Sequence, residues 1–195
     1  MDPEVVFEKE LSKFYRDDYR ALTIKMLNHV PKTFWTAASS RTGKNHPYDE
    51  YALAGKVLHT KRAFFFLLQI MDSAAGGAFG NDFTPVNADQ CMMAMLVHDT
   101  MVGSRAHGPA VLPYFMQRTS IFTDEERELM KFPLKISQTH MGRWGGNYSP
   151  RTFLQWIVHL ADFLASRKQP GHLILGDGDT DELDYTIRWP KYGTI

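Results

Sequence analysis

The residues with the clearest chemical potential are a histidine and an aspartate side by side, His98 and Asp99. They end an apolar run that begins at Cys91, and such a run predicts a buried helix. Burying an unpaired carboxylate is very costly, so the pair needs a partner. Imidazole nitrogen and carboxylate oxygen together suit divalent ions such as Zn, Mn, Fe or Mg. The alternative is a hydrogen-bonded core histidine beside a carboxylate at a helix end.

Other metal-capable side chains lie on separate apolar segments. His59 has apolar neighbours, and Asp162 stands within a run of aliphatic and aromatic residues, where a carboxylate is rarely left without a strong partner. His107 and His140 lie at predicted helix ends or in the adjoining loops. One shared site is the most economical explanation for several such groups on different buried helices.

Composition limits the class of protein. The chain has 195 residues, which favours one domain, and 44% of them are hydrophobic, as in a globular protein. Its formal net charge of zero argues against a strongly basic nucleic-acid-binding surface. The single cysteine, Cys91, is typical of a reducing compartment. The longest apolar stretch, 63–71, is too short to span a bilayer. We therefore expect a cytoplasmic protein that does not interact with a membrane.

Periodicity predicts an all-α class, because no run before residue 172 shows strand alternation. Capping residues and prolines set the predicted helix limits. The predicted elements are helices over 4–29, 33–38 and 51–71, one from Thr84 or Asn87 to His98, one from His107 through Phe115, one from Thr123 toward His140 with a kink or break at Pro133, one opened by Ser149, and an extended tail over 169–195.

In chain order these residues resemble a known family. His59, then His98 with Asp99, then Asp162 follow the H…HD…D pattern of the HD-domain metal-dependent phosphohydrolases. The segments 55–63, 140–144 and 160–167 are also similar to segments of a small HD subgroup. The resemblance covers roughly residues 44–168. It implies an HD-type helical bundle within a single domain, 1–195.

The resemblance also implies roles for individual residues. His59, His98, Asp99 and Asp162 would ligate a first metal, and Asp99 would bridge to a second. His107 and His140 occupy the places where two-metal members carry extra histidines. One or two divalent ions (Mn, Fe, Mg, Zn, Co or Ni) would activate a water and clamp phosphate oxygens.

The chain departs from the family after the HD pair. Many members carry a Gly-Lys pair there, whereas Thr100 follows Asp99 here. Arg62 is three residues from His59 and would share its helix face, while Lys61 would point away. Arg143 stands in a glycine-flanked loop. We therefore predict that Arg62 and Arg143 contact the substrate phosphate, with the alternative that Arg62 is a structural ion-pair partner.

Three further residues have open roles. His159 could support a metal ligand on the same helix as Asp162, but an orientation toward solvent is favoured. Trp144 could stack on a base or hold its loop to the core. His46 could approach a substrate phosphate from its loop, but a role as a turn residue is slightly favoured.

The expected function is hydrolysis of a phosphate ester of a nucleotide or related small molecule. The alternative on the same scaffold is a phosphodiesterase or 3′–5′ exonuclease acting on single-stranded DNA or RNA or on a cyclic nucleotide. Zero net charge argues mildly against a long polynucleotide track. A di-iron oxygenase and a non-catalytic binding module are the remaining alternatives.

Overall fold

The computed structural model describes residues 1–39, 46–77, 83–101 and 107–167. Within these ranges the chain is helical and forms no β-strand, which confirms the predicted all-α class. The predicted extended tail, 169–195, lies outside the described residues. The helices are α1 (Pro3–Val6), α2 (Glu8–Leu11), α3 (Asp17–Asn28), α4 (Lys32–Thr36), α5 (Gly55–Ala75), α6 (Pro85–Val97), α7 (His107–Met116), α8 (Asp124–Ser137) and α9 (Phe153–Ala165), with 3₁₀ helices at Tyr48–Tyr51 and Gly142–Gly145.

Helix α6 is the centre of the bundle. Every side chain from Cys91 to Val97 is fully buried, and the helix packs against α3, α5, α8 and α9. A helix that is apolar on all sides has to be enclosed in this way. Thr84 caps its start in a reciprocal capping box with Asn87, which confirms Thr84 as the start signal. The C-terminal end of α6 therefore delivers His98 and Asp99 into the interior. No helix in the described part of the chain is long and apolar enough to cross a membrane.

The prediction of one N-terminal helix over 4–29 is wrong, because the segment is divided into α1, α2 and α3. The cause is a tertiary contact that periodicity does not reveal. The buried carboxylate of Asp89 on α6 accepts hydrogen bonds from the backbone N–H groups of Tyr15 (2.9 Å) and Arg16 (3.1 Å). These donors precede α3, so the carboxylate fixes the turn between α2 and α3 against the central helix.

Replacing Asp89 with alanine should lower the free energy of unfolding by about 2 kcal/mol, because two backbone donors lose their acceptor. Asp89→Asn keeps one acceptor oxygen and should lose roughly half as much. Urea denaturation followed by circular dichroism measures both changes. Asp72→Ala, which removes an exposed carboxylate from α5, is the control. A loss no greater for Asp89→Ala than for Asp72→Ala would contradict this role.

Two further helix starts differ from the predictions. Helix α9 is capped by Thr152 and not by Ser149, since Thr152 and Gln155 form a capping box three residues later in the chain. Helix α5 begins at Gly55, because Tyr48–Tyr51 forms a separate 3₁₀ helix. A Cβ atom at Gly55 would overlap the carbonyl oxygen of Glu50. Glycine therefore permits the 3₁₀ helix to lie directly against the first turn of α5.

Candidate metal centre

Six side chains from five parts of the bundle meet at the end of α6. Helix α5 supplies His59, and α9 supplies Asp162. The chain just past α6 supplies a histidine and an aspartate, α7 supplies a histidine in its first turn, and the turn after α8 supplies another. All six predicted ligands are thus brought together: His59, His98, Asp99, His107, His140 and Asp162.

One half of the cluster joins α5, α6 and α9. His59 Nε2 lies 2.9 Å from Asp162 Oδ1, and His98 Nε2 lies 3.5 Å from the same oxygen. Asp99 Oδ2 is 3.9 Å from His59 Nε2 and 3.7 Å from His98 Nε2. Ligands about 2.1 Å from one ion at tetrahedral or octahedral angles are separated by about 3.0–3.4 Å. These four groups therefore have spacings close to those of a metal coordination sphere.

The other half faces the second oxygen of Asp99. His107 Nε2 lies 3.2 Å and His140 Nε2 3.6 Å from Asp99 Oδ1, and the two nitrogens are 3.1 Å apart. Asp99 thus points one oxygen toward each pair of histidines. A carboxylate in this position can serve two ions at once, which is the arrangement that the resemblance implied for it.

Backbone carbonyl groups fix the ring orientation of two of the histidines. His98 Nδ1 lies 2.6 Å from the carbonyl oxygen of Met95, and His140 Nδ1 lies 2.7 Å from that of Ser137. A carbonyl oxygen only accepts, so in both rings Nδ1 carries the proton and donates it. The lone pair of Nε2 then faces the cluster, as in metal-binding histidines whose other nitrogen is held by a backbone carbonyl.

His98 Nε2 gives the sharpest test of metal fit. It is buried and has no hydrogen-bond partner among the described residues. A buried polar atom without a partner is costly, and native proteins rarely contain one. Its lone pair is aimed at two carboxylates, which cannot donate a proton to it when ionised. A cation satisfies the nitrogen and both carboxylates together, so the donor set fits a divalent metal.

Comparison with known proteins adds no relative. No protein-family model matches the chain, and no curated protein or solved structure gives a significant match. Kinship with the HD-domain phosphohydrolases therefore stays a prediction that rests on the motif and on this geometry.

The electrostatics of the cluster keep the carboxyl groups ionised. Burial opposes the charge of Asp99, but the nearby histidines His98, His107 and His140 outweigh it and hold its pKa well below the usual range. Burial likewise opposes ionisation of Asp162, but its hydrogen bond with His59 and the other nearby histidines prevail and lower its pKa. Both side chains thus present anionic oxygens at neutral pH.

The histidines differ in protonation. Burial lowers the pKa of His140, which keeps the ring neutral and ready to bind a metal without displacing a proton. Burial also opposes protonation of His59, but its hydrogen bond to Asp162 prevails and raises its pKa. A metal at the His59–Asp162 pair has to displace that proton, so its affinity should fall as the pH falls.

Glu50 is a supporting residue that the sequence did not indicate. Its side chain is fully buried, with Oε2 lying 2.8 Å from His46 Nδ1 and 3.3 Å from His59 Nδ1. Its other oxygen pairs with Arg62, which also binds Asp49. Glu50 therefore places a carboxylate beside the Nδ1 atom of His59, on the side of the ring away from the cluster, although no hydrogen bond joins the two groups.

Replacing Glu50 with glutamine should weaken metal binding about 10- to 100-fold, the scale for losing the support of a ligating histidine. Competition with a chelating dye measures the affinity. Asp49→Asn is the matched control, because it removes the exposed partner of Arg62 and leaves His59 untouched. Equal affinities for Glu50→Gln and Asp49→Asn would show that Glu50 serves Arg62 alone.

The two arginines predicted as phosphate contacts lie in different surroundings. Arg62 lies on the same helix face as His59, as their spacing predicted, and both contact Glu50, but its charge is compensated by Glu50 and Asp49. This pairing favours the alternative of a structural ion pair. Arg143 lies outside the ligand cluster and stacks on Trp144, with its Cζ atom 4.6 Å from the ring centroid.

A buried lysine brings positive charge near the cluster. Lys56 lies one turn before His59 on α5 and is 1% exposed. Burial lowers its pKa, and attraction to Asp99 acts in the opposite direction. Lys61, in contrast, pairs with Glu10 at 2.9 Å on the other side of the helix. The sequence gave no indication that Lys56 is buried, because charged residues at helix starts are usually exposed.

His159 does not face solvent, which corrects the favoured prediction. It is half-buried, and its Nδ1 donates a hydrogen bond to the carbonyl oxygen of His140 at 2.6 Å. A Cβ atom at Gly142, which has a φ of 56°, would overlap the His159 ring. Glycine at this position thus lets His159 reach the backbone of a candidate metal ligand. His46 is a partner of Glu50 rather than a simple turn residue.

Proposed function

We propose that the chain is a metal-dependent phosphohydrolase of the HD type that acts on a nucleotide or a related phosphate ester. The observation that supports this most is Asp99, whose two oxygens face separate pairs of histidines. Such a carboxylate suits a two-metal site, and two-metal sites commonly serve phosphate-ester hydrolysis.

The charge of the site favours two ions for this chemistry. Asp99 and Asp162 contribute a charge of −2 when ionised, and the four histidines contribute none when neutral. One divalent ion would leave the cluster near zero charge, whereas two would leave it at +2. Because no lysine follows Asp99, the second ion is the simplest source of the positive charge that attracts a phosphate.

Each part of the cluster then has a chemical task. Bound divalent ions would supply an activated water and charge neutralisation of the phosphoryl oxygens. Asp99 and Asp162 hold their oxygens unprotonated, and backbone carbonyls direct the Nε2 lone pairs of His98 and His140 inward. Lys56, buried one turn before His59, lies close enough to Asp99 for the two side chains to attract each other.

The test has two stages. Metal analysis of the purified protein establishes which ion is bound and how many per chain. Phosphate release is then measured across a panel of nucleoside mono-, di- and triphosphates and simple sugar phosphates, with the native metal and after its removal by a chelator. We expect release that depends on metal and returns when the metal is restored. A metal-replete protein that releases no phosphate from any compound would contradict the proposal.

The alternatives give different results in parallel assays. Digestion of single-stranded DNA or RNA, or of a cyclic nucleotide, without release of free phosphate would indicate a phosphodiesterase or exonuclease. Oxygen consumption by the iron-loaded protein, prepared anaerobically, would indicate an oxygenase. The charge of the cluster favours phosphate chemistry, because a site of charge +2 attracts a phosphate dianion more strongly than it attracts neutral dioxygen.

A further inference from the structure

A cavity of about 450 Å³ lies beside the candidate metal centre, between the 3₁₀ helix Gly142–Gly145 and α9. Three aromatic side chains line it: Trp144, Trp156 and Phe163. Trp144 is 54% exposed and Trp156 is 47% exposed, although large aromatic rings normally gain by burial. Rings left open around a cavity offer faces on which a flat ligand can stack.

The described lining of the same cavity is positively charged. Arg143 and Arg167 line it, and none of its lining residues is acidic. Arg167 stacks on Phe163, with its Cζ atom 3.9 Å from the ring centroid, as Arg143 does on Trp144. In the described part of the chain neither guanidinium forms an ion pair. The Nε atom of Arg167 is buried and has no hydrogen-bond partner there.

Stacking leaves the N–H groups of a guanidinium free in its plane. Those groups match the oxygens of a phosphate, which arginine binds in a bidentate manner. Proteins that bind nucleic acid without base specificity also stack the bases on aromatic rings and hold the phosphates with nearby arginines. The chemistry of the cavity thus fits an aromatic anion better than a neutral or purely apolar ligand.

The cavity adjoins the metal cluster through shared residues. His159 lines the cavity and donates its hydrogen bond to the carbonyl oxygen of His140. Phe163 also lines the cavity and directly follows Asp162 in α9. A ligand in the cavity therefore lies against the backbone that carries two of the candidate metal ligands.

We propose that this cavity binds the base and one phosphate of a nucleotide. Trp144 and Trp156 hold the base, and Arg143 and Arg167 bind the phosphate. That the nucleotide is also the substrate of the metal centre rests on the proposed function, whereas binding itself does not. Arg143 thereby keeps the phosphate contact that the sequence predicted for it, at a phosphate held by the cavity and not by the metals.

Calorimetry on the 195-residue chain, stripped of metal by a chelator, tests the binding. The probes are adenosine 5′-monophosphate, adenosine and ribose 5-phosphate. We expect adenosine 5′-monophosphate to bind at least about tenfold more tightly than either fragment, because only it engages rings and arginines together. Trp144→Ala and Arg167→Ala should each weaken its binding about tenfold or more.

Matched controls exist elsewhere in the chain. Phe132→Ala removes a partly exposed aromatic ring from α8, and Arg118→Ala removes an arginine that stacks on Tyr114. Both variants should bind adenosine 5′-monophosphate within about twofold of the parent, since these residues do not line the cavity. A six-nucleotide single-stranded DNA, tested in the same way, distinguishes a free nucleotide from a strand. Tighter binding of the hexamer, with the same loss in Trp144→Ala, would identify the ligand as a strand.

The outcomes separate this inference from the proposed function. The inference is overturned if adenosine 5′-monophosphate and the hexamer bind no better than ribose 5-phosphate, or if Trp144→Ala and Arg167→Ala both bind like the parent. If metal-free binding depends on these residues but the metal-loaded protein releases no phosphate, the cavity is a nucleotide site and only the hydrolase proposal fails.

Discussion

Replacing Asp99 with alanine should remove bound metal from both halves of the cluster and reduce kcat/KM for phosphate release at least about 1000-fold. The reason is its position, because each of its oxygens faces a different pair of histidines. Loss of a single charge-stabilising group from an active site commonly costs about 100- to 1000-fold, and Asp99 would serve two ions. Elemental analysis and steady-state kinetics measure the two effects.

A stability measurement separates loss of metal from loss of fold. Metal that binds only the native state raises the melting temperature, and the parent should show this rise. The Asp99→Ala protein should keep its helical circular dichroism and lose the rise. Asp72→Ala on α5 is the control, since its carboxylate is exposed and remote from the cluster. Asp99→Asn keeps the side-chain shape and serves if the alanine variant does not fold. Full metal content and turnover in the folded Asp99 variants would refute the site.

The ligand cluster could be predicted because polar groups interrupt otherwise apolar segments. Asp162 stands within the apolar part of α9, and His98 and Asp99 end the fully buried helix α6. Burial of such groups requires a shared partner, so the sequence indicates that they meet even without a resemblance. The distances and the direction of each Nε2 atom depend on tertiary packing, which periodicity does not encode.

Glu50 illustrates why residues that support the ligands are not predicted from polar groups within apolar segments. It lies in a polar segment between Pro47 and Tyr51, and a carboxylate in such a segment is predicted to be exposed. Its complete burial results from the contact between the 3₁₀ helix and α5, which Gly55 permits. The presence of Arg62 one turn after His59 was the available signal, because an arginine beside a buried histidine favours an anionic partner.

The boundaries of the N-terminal helices were predicted wrongly for a related reason. The stripe over 4–29 is continuous in the sequence, but the hydrogen bonds that Asp89 accepts from Tyr15 and Arg16 interrupt the helix. Where local capping residues determined the start, as at Thr84 and Thr123, the prediction is confirmed. Capping hydrogen bonds between residues a few positions apart can be predicted from the sequence, whereas a hydrogen bond between residues 74 positions apart cannot.

His140→Ala should affect only one half of the cluster. His140 Nε2 faces His107 and Asp99 Oδ1, whereas the groups around Asp162 Oδ1 remain in place. We expect the metal content to fall from two ions per chain to one, and kcat/KM to fall about 100-fold or more, because one ion of the pair is lost. Elemental analysis of the protein, after equilibration with excess metal and gel filtration, gives the stoichiometry.

His107 and His140 face the same oxygen of Asp99. His107→Ala should reproduce the loss, and the double variant should lose no more metal than either single variant, since both rings would serve the same ion. His29→Ala is the control, because its Nδ1 also lies 2.8 Å from a backbone carbonyl oxygen, that of Lys25, but it is remote from the cluster. If His140→Ala retained as much metal as the parent, His140 would instead be a structural or substrate-contacting residue. The second ion would then lack the ligands on which the charge argument for hydrolysis depends.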